Sequence, residues 1–551
     1  MKRNVILIII AAVVVAALAG VMIFVLNLPQ TDEQGLTSDE LDILIYDKTS
    51  VKPEQIKVSN SGGEYTVIGY DYSSMIEESS IDASEESGQT SENRRKSDVS
   101  SVKINMRYTM QDYEDLELSK DNTDALAYQC SYVAALQLVD KSGSKYAEYG
   151  LDKPLSTVTV DFSDGTGEKL YIGKKAPNDM GYYFRREASK NVYLLNSDSV
   201  SSFLIEKLQM FDKTITKAFN DDEETKAEIS SISISGEGYE KPLEIDQQED
   251  ISIAAVYKIR SPYLLACAKS AAVDFGKMMY GMKGTEVAAA MVTDADKKKF
   301  GLDKPYMDIK VKSTDDTSVN IIVSKAQKDG SCYVMADDGK IIFKLLKSDV
   351  EDWYGAAYDK FITIAYIYPN MDYLDKAVIT ADGKASEFDI VHERAKNELL
   401  EDYTITTVTT GDGKTVGYPN FSTFIRNLTG LLRTGTEVRD TAGYSEIFKT
   451  ELSYSKQGEK SIKDVLTIKK GADGSCIVYL NDMLLGYTDR KYAEKLAAQT
   501  DKVSGEAELE NLLSDTDDEN VEESSAESSG EASAESSSEA SAESSAEASA
   551  E

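Results

Sequence analysis

One histidine, His392, occurs in 551 residues. It is weighed first because nucleophilic triads and most transition-metal sites draw on imidazole. His392 stands between a strand-like run and a charged loop, and no elbow motif is there to serve it. A surface or half-buried structural histidine is the expectation. Ser453-Tyr454-Ser455-Lys456 fits the Ser-x-x-Lys spacing of penicillin-recognising enzymes. Serine and lysine are abundant enough to give such hits by chance, and no Lys-Thr-Gly partner follows. Gly413-Lys414-Thr415 imitates the end of a phosphate loop, but Val408 stands where its first glycine belongs. The four cysteines, Cys130, Cys267, Cys332 and Cys476, lack zinc-type spacing. Cys130 and Cys267 sit in helix-like stretches and read as small core residues, so a disulfide framework is not expected. Paired carboxylates abound in so acidic a chain, so none can be singled out. The sequence therefore assigns no catalytic residue, no metal ligand and no cofactor, and a non-enzymatic role is expected. Tyr182-Tyr183 and Tyr366-Ile367-Tyr368 can line a glycan or partner surface, although sheet packing explains them more cheaply.

The elements behind these residues are repeated. Gly150-Leu151-Asp152-Lys153-Pro154 recurs as Gly301-Leu302-Asp303-Lys304-Pro305, each behind an aromatic residue, Tyr149 and Phe300. Alternating runs follow in register, with Val158 and Val160 matching Ile309 and Val311, as half-buried strands do. Tyr46-Asp47-Lys48, Phe211-Asp212-Lys213 and Tyr358-Asp359-Lys360 mark three units with a period of domain size. The third unit is the most worn. Tyr444-Ser445-Glu446-Ile447-Phe448 replaces the pentapeptide, while Asp473-Gly474-Ser475-Cys476 repeats Asp329-Gly330-Ser331-Cys332.

Physically, the pentapeptide reads as a helix stop. Gly150 and Gly301 take the left-handed position after a short helix, and Leu151 and Leu302 fold back onto its last turn. Tyr146 suits that contact in the first copy; Lys297 offers only its aliphatic stem in the second. Asp-Lys makes a polar turn, and Pro154 and Pro305 open the next strand. The alternative is that the Asp-Lys pairs form a repeated ligand site.

Lys2 and Arg3 precede an apolar run from Val5 to Leu26, long enough to cross a bilayer, with Asp32, Glu33, Asp39 and Glu40 beyond it. The expectation is an uncleaved single-pass anchor, residues 1–29, with a cytoplasmic N-terminus and the bulk of the chain extracytoplasmic. A signal peptide cleaved after Ala17-Leu18-Ala19 is the rival. The net charge of −36 points away from nucleic acid and from direct adsorption to anionic lipid. Much of it lies beyond Ser514, where lysine and arginine are absent and Ser, Ala and Glu dominate. That tail is expected to be a disordered brush. A polar insertion at 73–101 reads as a surface loop.

Strand pairs joined by tight turns, with intervening helices, predict an α+β fold. An N-terminal transmembrane helix would precede three tandem antiparallel-sheet-plus-helix modules at 42–210, 211–357 and 358–500, with the disordered acidic tail at 501–551. Main helices are expected over Asp121 to Val139 and from Ser261-Pro262 to Met282. The third unit's main helix is expected over Phe421 to Leu428, and a Ser348/Glu351 capping box is expected to start a further helix carrying Trp353 in the second. Tyr149-Gly150-Leu151-Asp152-Lys153-Pro154, then Ile172-Gly173-Lys174-Lys175, the Tyr182-Tyr183 pair and Val192-Tyr193-Leu194 make the chain resemble the bacterial domain-of-unknown-function family 4340. Most of 110–360 carries the resemblance, with Ser324-Lys325 departing from Gly173-Lys174. It implies a membrane-anchored extracytoplasmic protein of the kind found beside ABC-type exporter components, and it supplies no catalytic residues. The resulting expectation is an interaction or scaffold protein with transporter components as partners. A cell-wall glycan or small-ligand receptor is the alternative, and an uncharacterised hydrolase comes third.

Overall fold

The computed structural model describes residues 43–71, 106–220, 227–396, 402–436, 441–456 and 460–515. The chain divides into two compact units, Met1–Asp212 and Lys213–Glu551. The first unit contributes ten strands: β1 (Ile43–Asp47), β2 (Pro53–Asn60), β3 (Gly63–Asp71), β4 (Met106–Met110), β5 (Tyr132–Ala135), β6 (Gln137–Asp140), β7 (Ser156–Phe162), β8 (Gly167–Lys175), β9 (Tyr182–Arg186) and β10 (Val192–Leu195). Eight of them form one antiparallel sheet in the order β4-β3-β2-β7-β8-β9-β10-β6, while β1 pairs with β5. Helix α1 (Lys120–Ser131) lies between β4 and β5 in sequence, and α2 (Ser197–Phe203) follows β10.

The second unit holds two nine-stranded antiparallel sheets. The first of these uses β11 (Ile229–Ser235), β12 (Leu243–Asp246), β13 (Tyr257–Ser261), β14 (Leu265–Cys267), β15 (Glu286–Ala290), β16 (Met307–Ser313), β17 (Ser318–Val323), β18 (Cys332–Ala336) and β19 (Ile341–Leu345). Its helices are α3 (Lys269–Met278), α4 (Asp294–Phe300) and α5 (Lys347–Val350). The other uses β20 (Leu374–Ala381), β21 (Lys384–Lys396), β22 (Asp402–Thr410), β23 (Thr415–Val416), β24 (Arg433–Gly435), β25 (Ser445–Tyr454), β26 (Ile462–Lys470), β27 (Cys476–Leu480) and β28 (Met483–Thr488). With it go α6 (Tyr418–Thr429) and α7 (Arg490–Gln499).

The two nine-stranded sheets run β14-β13-β12-β11-β16-β17-β18-β19-β15 and β23-β22-β21-β20-β25-β26-β27-β28-β24. Counted within each copy, both orders are the same. The first unit repeats that order from β2 onward, except that its fourth strand, β5, pairs with β1. One nine-strand plan is thus used three times. Alternation explains why it holds: Val158 and Val160 face Val58 and Ile56, and Ile309 and Val311 face Ile234 and Ile232. All eight of these side chains are at most 1 % exposed. Each buried aliphatic side chain of this size contributes about 1.5–3 kcal/mol.

The expectation of an α+β fold needs correction. Strand outweighs helix at 43 % to 19 %, and the architecture is four antiparallel sheets with short helices. The reasons are local. The helix expected over Asp121 to Val139 stops at Ser131, where Tyr132-Val133 turns into strand and pairs with β1. The helix expected from Ser261-Pro262 is α3 alone; Pro262 lies in the turn joining β13 to β14, so Cys267 is on a strand. The Ser348/Glu351 box is unused. The Asp349 carboxylate instead accepts from the Leu346 N–H at 2.8 Å, and α5 is a single turn. Trp353 lies beyond it, its indole N–H donating to the Asp349 carbonyl at 3.0 Å.

No helix among the described residues is long and apolar enough to cross a membrane. The expected span from Val5 to Leu26 lies outside the described residues, as do the whole of the 73–101 insertion and everything past 515. The transmembrane helix is therefore unsupported. Residues 501–515, expected within the tail, are described and packed: Leu509 and Leu512 are 5 % and 2 % exposed. Asn420 and Asn427 of α6 hold that segment, Asn420 Oδ1 accepting from the Leu509 N–H and Asn427 Oδ1 from the Leu512 N–H, both at 3.0 Å.

Candidate ligand-binding cleft

Each pentapeptide closes a helical turn by the same two hydrogen bonds. The Leu151 N–H donates to the Tyr146 carbonyl at 2.9 Å and the Gly150 N–H to Ala147 at 3.2 Å. The Leu302 N–H donates to Lys297 at 2.7 Å and the Gly301 N–H to Lys298 at 3.3 Å. This is the Schellman pattern, and Gly150 and Gly301 adopt φ of 69° and 70° to make it. Leu151 and Leu302 are both 2 % exposed. Leu302 is not left with the Lys297 stem. It packs on Met335 and Ile342, with Phe300 and Tyr333 beside them. Asp152, Lys153, Asp303 and Lys304 stay exposed, while Pro154 and Pro305 are half-buried ahead of β7 and β16.

The two copies differ beside this turn. In the first, a Cβ on Gly150 would stand 2.9 Å from the Lys174 backbone nitrogen, so β8 lies tight against the turn. In the second, the nearest atom to a Cβ on Gly301 is the Ser324 Cβ at 3.8 Å. A cleft of about 470 Å³ opens there, lined by Lys298, Lys299, Phe300, Lys304, Tyr306 and Lys325 among others. That volume is within the range of small-ligand sites.

The walls are well anchored. Thr293 caps α4: its Oγ1 accepts from the Asp296 N–H at 3.2 Å, and its own N–H donates to Asp296 Oδ2 at 3.0 Å. The Thr293 hydroxyl and N–H hold the Asp296 carboxyl below its ordinary value. Opposite, the Ser324 N–H donates to the Tyr333 carbonyl at 2.9 Å, and Ser324 Oγ accepts from the Tyr333 N–H at 3.0 Å. The Ala326 N–H donates to Tyr354 Oη at 2.7 Å. Burial pushes the Tyr354 phenol up, and its ring stacks on Tyr306 at 5.1 Å. The loop after β11 completes the rim, with the Glu237 N–H donating to Pro305 at 2.9 Å.

Four ammonium groups against two carboxylates, Glu237 and Asp303, line this cleft in a chain of net charge −36. Lys298 and Lys299 also sit at the C-terminus of α4, where they oppose the helix dipole. That explains two lysines but not Lys304 and Lys325, which are off the helix. The Lys299 ammonium lies 4.6 Å from the Phe300 ring centre. The repeat alignment makes the enrichment specific. Lys297-Lys298-Lys299 stands where the first copy has Tyr146-Ala147-Glu148. That difference is legible in the sequence, whereas the wider gap beside Ser324 is visible only in the fold.

The other sequence candidates are dispersed and structural. His392, on β21, has Nε2 2.9 Å from the Leu374 carbonyl and Nδ1 3.1 Å from Thr406 Oγ1. The Lys456 ammonium lies 3.6 Å from Glu249. Gly413-Lys414-Thr415 is the β22–β23 turn. No disulfide joins the four cysteines, all of which are buried, and burial pushes the Cys332 thiol up to about 12. Among the described residues no cluster of His, Cys, Asp or Glu could hold a metal. Tyr183 packs on Tyr149 with ring centres 4.8 Å apart, and buried Tyr366 donates to the Tyr487 carbonyl at 2.6 Å.

One joint inside the second unit is polar. Asp464 is 7 % exposed and accepts from Asn481 Nδ2 at 2.9 Å. Burial raises its carboxyl above the ordinary range, and nearby Asp250 adds to the effect. Asp250 itself pairs with Arg260 at 2.5 Å.

Against this geometry, residues 109–263 match the model of the family described as Domain of unknown function (DUF4340). The match covers the first pentapeptide and ends past β13, short of the second pentapeptide and its cleft. The match agrees with the resemblance in the sequence. No curated protein and no solved structure matches the chain.

Proposed function

We propose that this chain is an extracytoplasmic interaction or scaffold protein, auxiliary to an ABC-type transport complex. The observation that carries the reading is repetition with divergence: one strand order used three times, with different residues at equivalent turns. Ala147-Glu148 and Lys298-Lys299 are the examples, and in the third copy the replacing Tyr444-Ser445 runs directly into β25. A rigid sheet with variable turns presents distinct surfaces on a common frame. The partner class is supported by the family resemblance. The location is supported by the charge asymmetry about residues 5–26. Crosslinking in intact cells followed by mass spectrometry tests the proposal. Transporter permeases among the adducts are expected; a measurable hydrolytic turnover with no adducts would overturn it.

A second reading, a receptor for a cell-wall glycan or small ligand, is favoured by the 470 Å³ cleft. Retention of the purified chain on wall polymer would distinguish it from the first.

A further inference from the structure

We infer that the cleft beside the second pentapeptide is a binding site for an oxyanion, a phosphate or carboxylate group carried by a small or polymeric ligand. The inference deepens the receptor reading and is independent of the scaffold one.

Three observations converge. The first is charge. Lys298, Lys299, Lys304 and Lys325 surround one opening, and among the described residues none of the four forms a salt bridge. In a chain with 96 acidic and 60 basic residues, unpaired lysines have no shortage of carboxylates to pair with. Lys299 acts on the Asp296 carboxyl and lies against the Phe300 ring, and Glu237 and Asp303 share the lining. Yet lysines outnumber acids there and none is held in a salt bridge, which leaves donors for an external anion.

The second is divergence between copies built on the same frame. The Schellman turn, the following proline and the adjoining strand are shared. Even so, Ala147 and Glu148 have become Lys298 and Lys299, and Gly173 has become Ser324. The first change reverses the charge of the rim. The second goes with the wider gap between turn and strand. A merely structural helix stop needs neither, as the first copy demonstrates.

The third is the lining itself. Ser324 is buried, at 1 % exposed, and its hydroxyl is fixed by the Tyr333 N–H. Tyr306 is clamped between the Tyr354 ring and the backbone near Gly236, where a Cβ would stand 2.6 Å from the Tyr306 carbonyl oxygen. The floor is therefore held in place, and four lysines are among the residues that line the cleft. That arrangement suits recognition of a charge with little demand on orientation.

The full chain carries its own reporter. Trp353 is its single tryptophan and lies 6.4 Å from the Tyr354 ring that stacks on Tyr306. Tryptophan emission and calorimetric heat should be followed while inorganic phosphate, citrate or a glycerol-phosphate oligomer is added at low ionic strength. Saturable binding is expected, weakening as salt is raised. Tighter binding of the oligomer than of free phosphate would assign the anion to a polymer; the converse would assign it to a small molecule. Lys298→Ala with Lys299→Glu installs the first copy's residues and should weaken binding at least about tenfold. Lys325→Gln, an exposed change remote from the helix, should weaken it by a smaller factor and guards against misfolding of the double variant. Absence of saturable binding to every probe, or unchanged affinity in both variants, would overturn the inference. Adducts with permeases in cells would leave the scaffold reading standing in either case.

Discussion

The Tyr149 carbonyl oxygen lies 2.3 Å from where a Cβ on Gly173 would be built. Strand β8 can therefore pass the first Schellman turn at this distance only as glycine, whereas the second copy accommodates Ser324. Gly173→Ser should force the turn and strand apart and cost about 1–3 kcal/mol. Ser324→Gly should lose the hydroxyl's contacts to the Tyr333 N–H and the Lys325 carbonyl, about 1 kcal/mol. Hydrogen exchange of β8 and β17 amides reads both effects. Equal costs would contradict the account of how the copies differ.

Leu302 anchors the cleft from beneath, packed on Met335 and Ile342. Leu302→Ala should destabilise the second unit by about 2–5 kcal/mol. Urea denaturation followed by Trp353 emission measures it directly. A loss below about 1 kcal/mol would mean that the leucine is not a core residue.

Asn427 is wholly buried and bridges α6 to the C-terminal segment. Its Nδ2 donates to Gln499 Oε1 at 2.8 Å and to the Glu510 carbonyl at 2.9 Å. Asn427→Ala leaves Gln499 Oε1 and the Leu512 N–H without this partner, while the Glu510 carbonyl keeps Gln499 Nε2, at about 1–3 kcal/mol for each group so stranded. Limited proteolysis should then cut between 503 and 515 well before the sheets. Unaltered protection there would show that Leu509 and Leu512 hold the segment by themselves.

How much was legible follows from which signals are local. The period-2 alternation at Val158, Val160, Ile309 and Val311 needs no tertiary information, and these residues are core. Likewise Gly150 and Gly301 announce a left-handed turn through their position alone. Asp329 and Asp473 each accept from a serine N–H at 3.0 Å and its hydroxyl at 2.7 Å, which is why that turn survives in the worn third copy. What failed depended on distant partners. Whether Tyr132-Val133 continues a helix is decided by β1, more than eighty residues earlier. The cleft failed for another reason: Lys298 and Lys299 suit a helix C-terminus on any reading, and only the gap at Ser324 gives them a second meaning.

Asp464 gives a pH signature. Burial raises its folded carboxyl above the unfolded value near 3.8. The folded state then holds the proton more tightly, so this group favours folding most below that value. Its contribution is lost as pH climbs through the window above it. Asp464→Asn keeps an acceptor for Asn481 and removes the charge. It should raise the melting temperature at pH 7 and flatten the pH dependence between 4 and 7, read by calorimetry. A variant less stable than the parent at pH 7 would show that the carboxylate is better paired than its burial implies.

The central claim is that a repeated sheet presents divergent turns to a partner outside the cytoplasm. Photoreactive residues at positions 148, 299 and 445, one per copy, placed in the full chain and activated in intact cells, test it most directly. The account predicts adducts with transporter permeases from at least one position, and different yields among the three. No adduct at any position, or adducts only with cytoplasmic proteins, would contradict it.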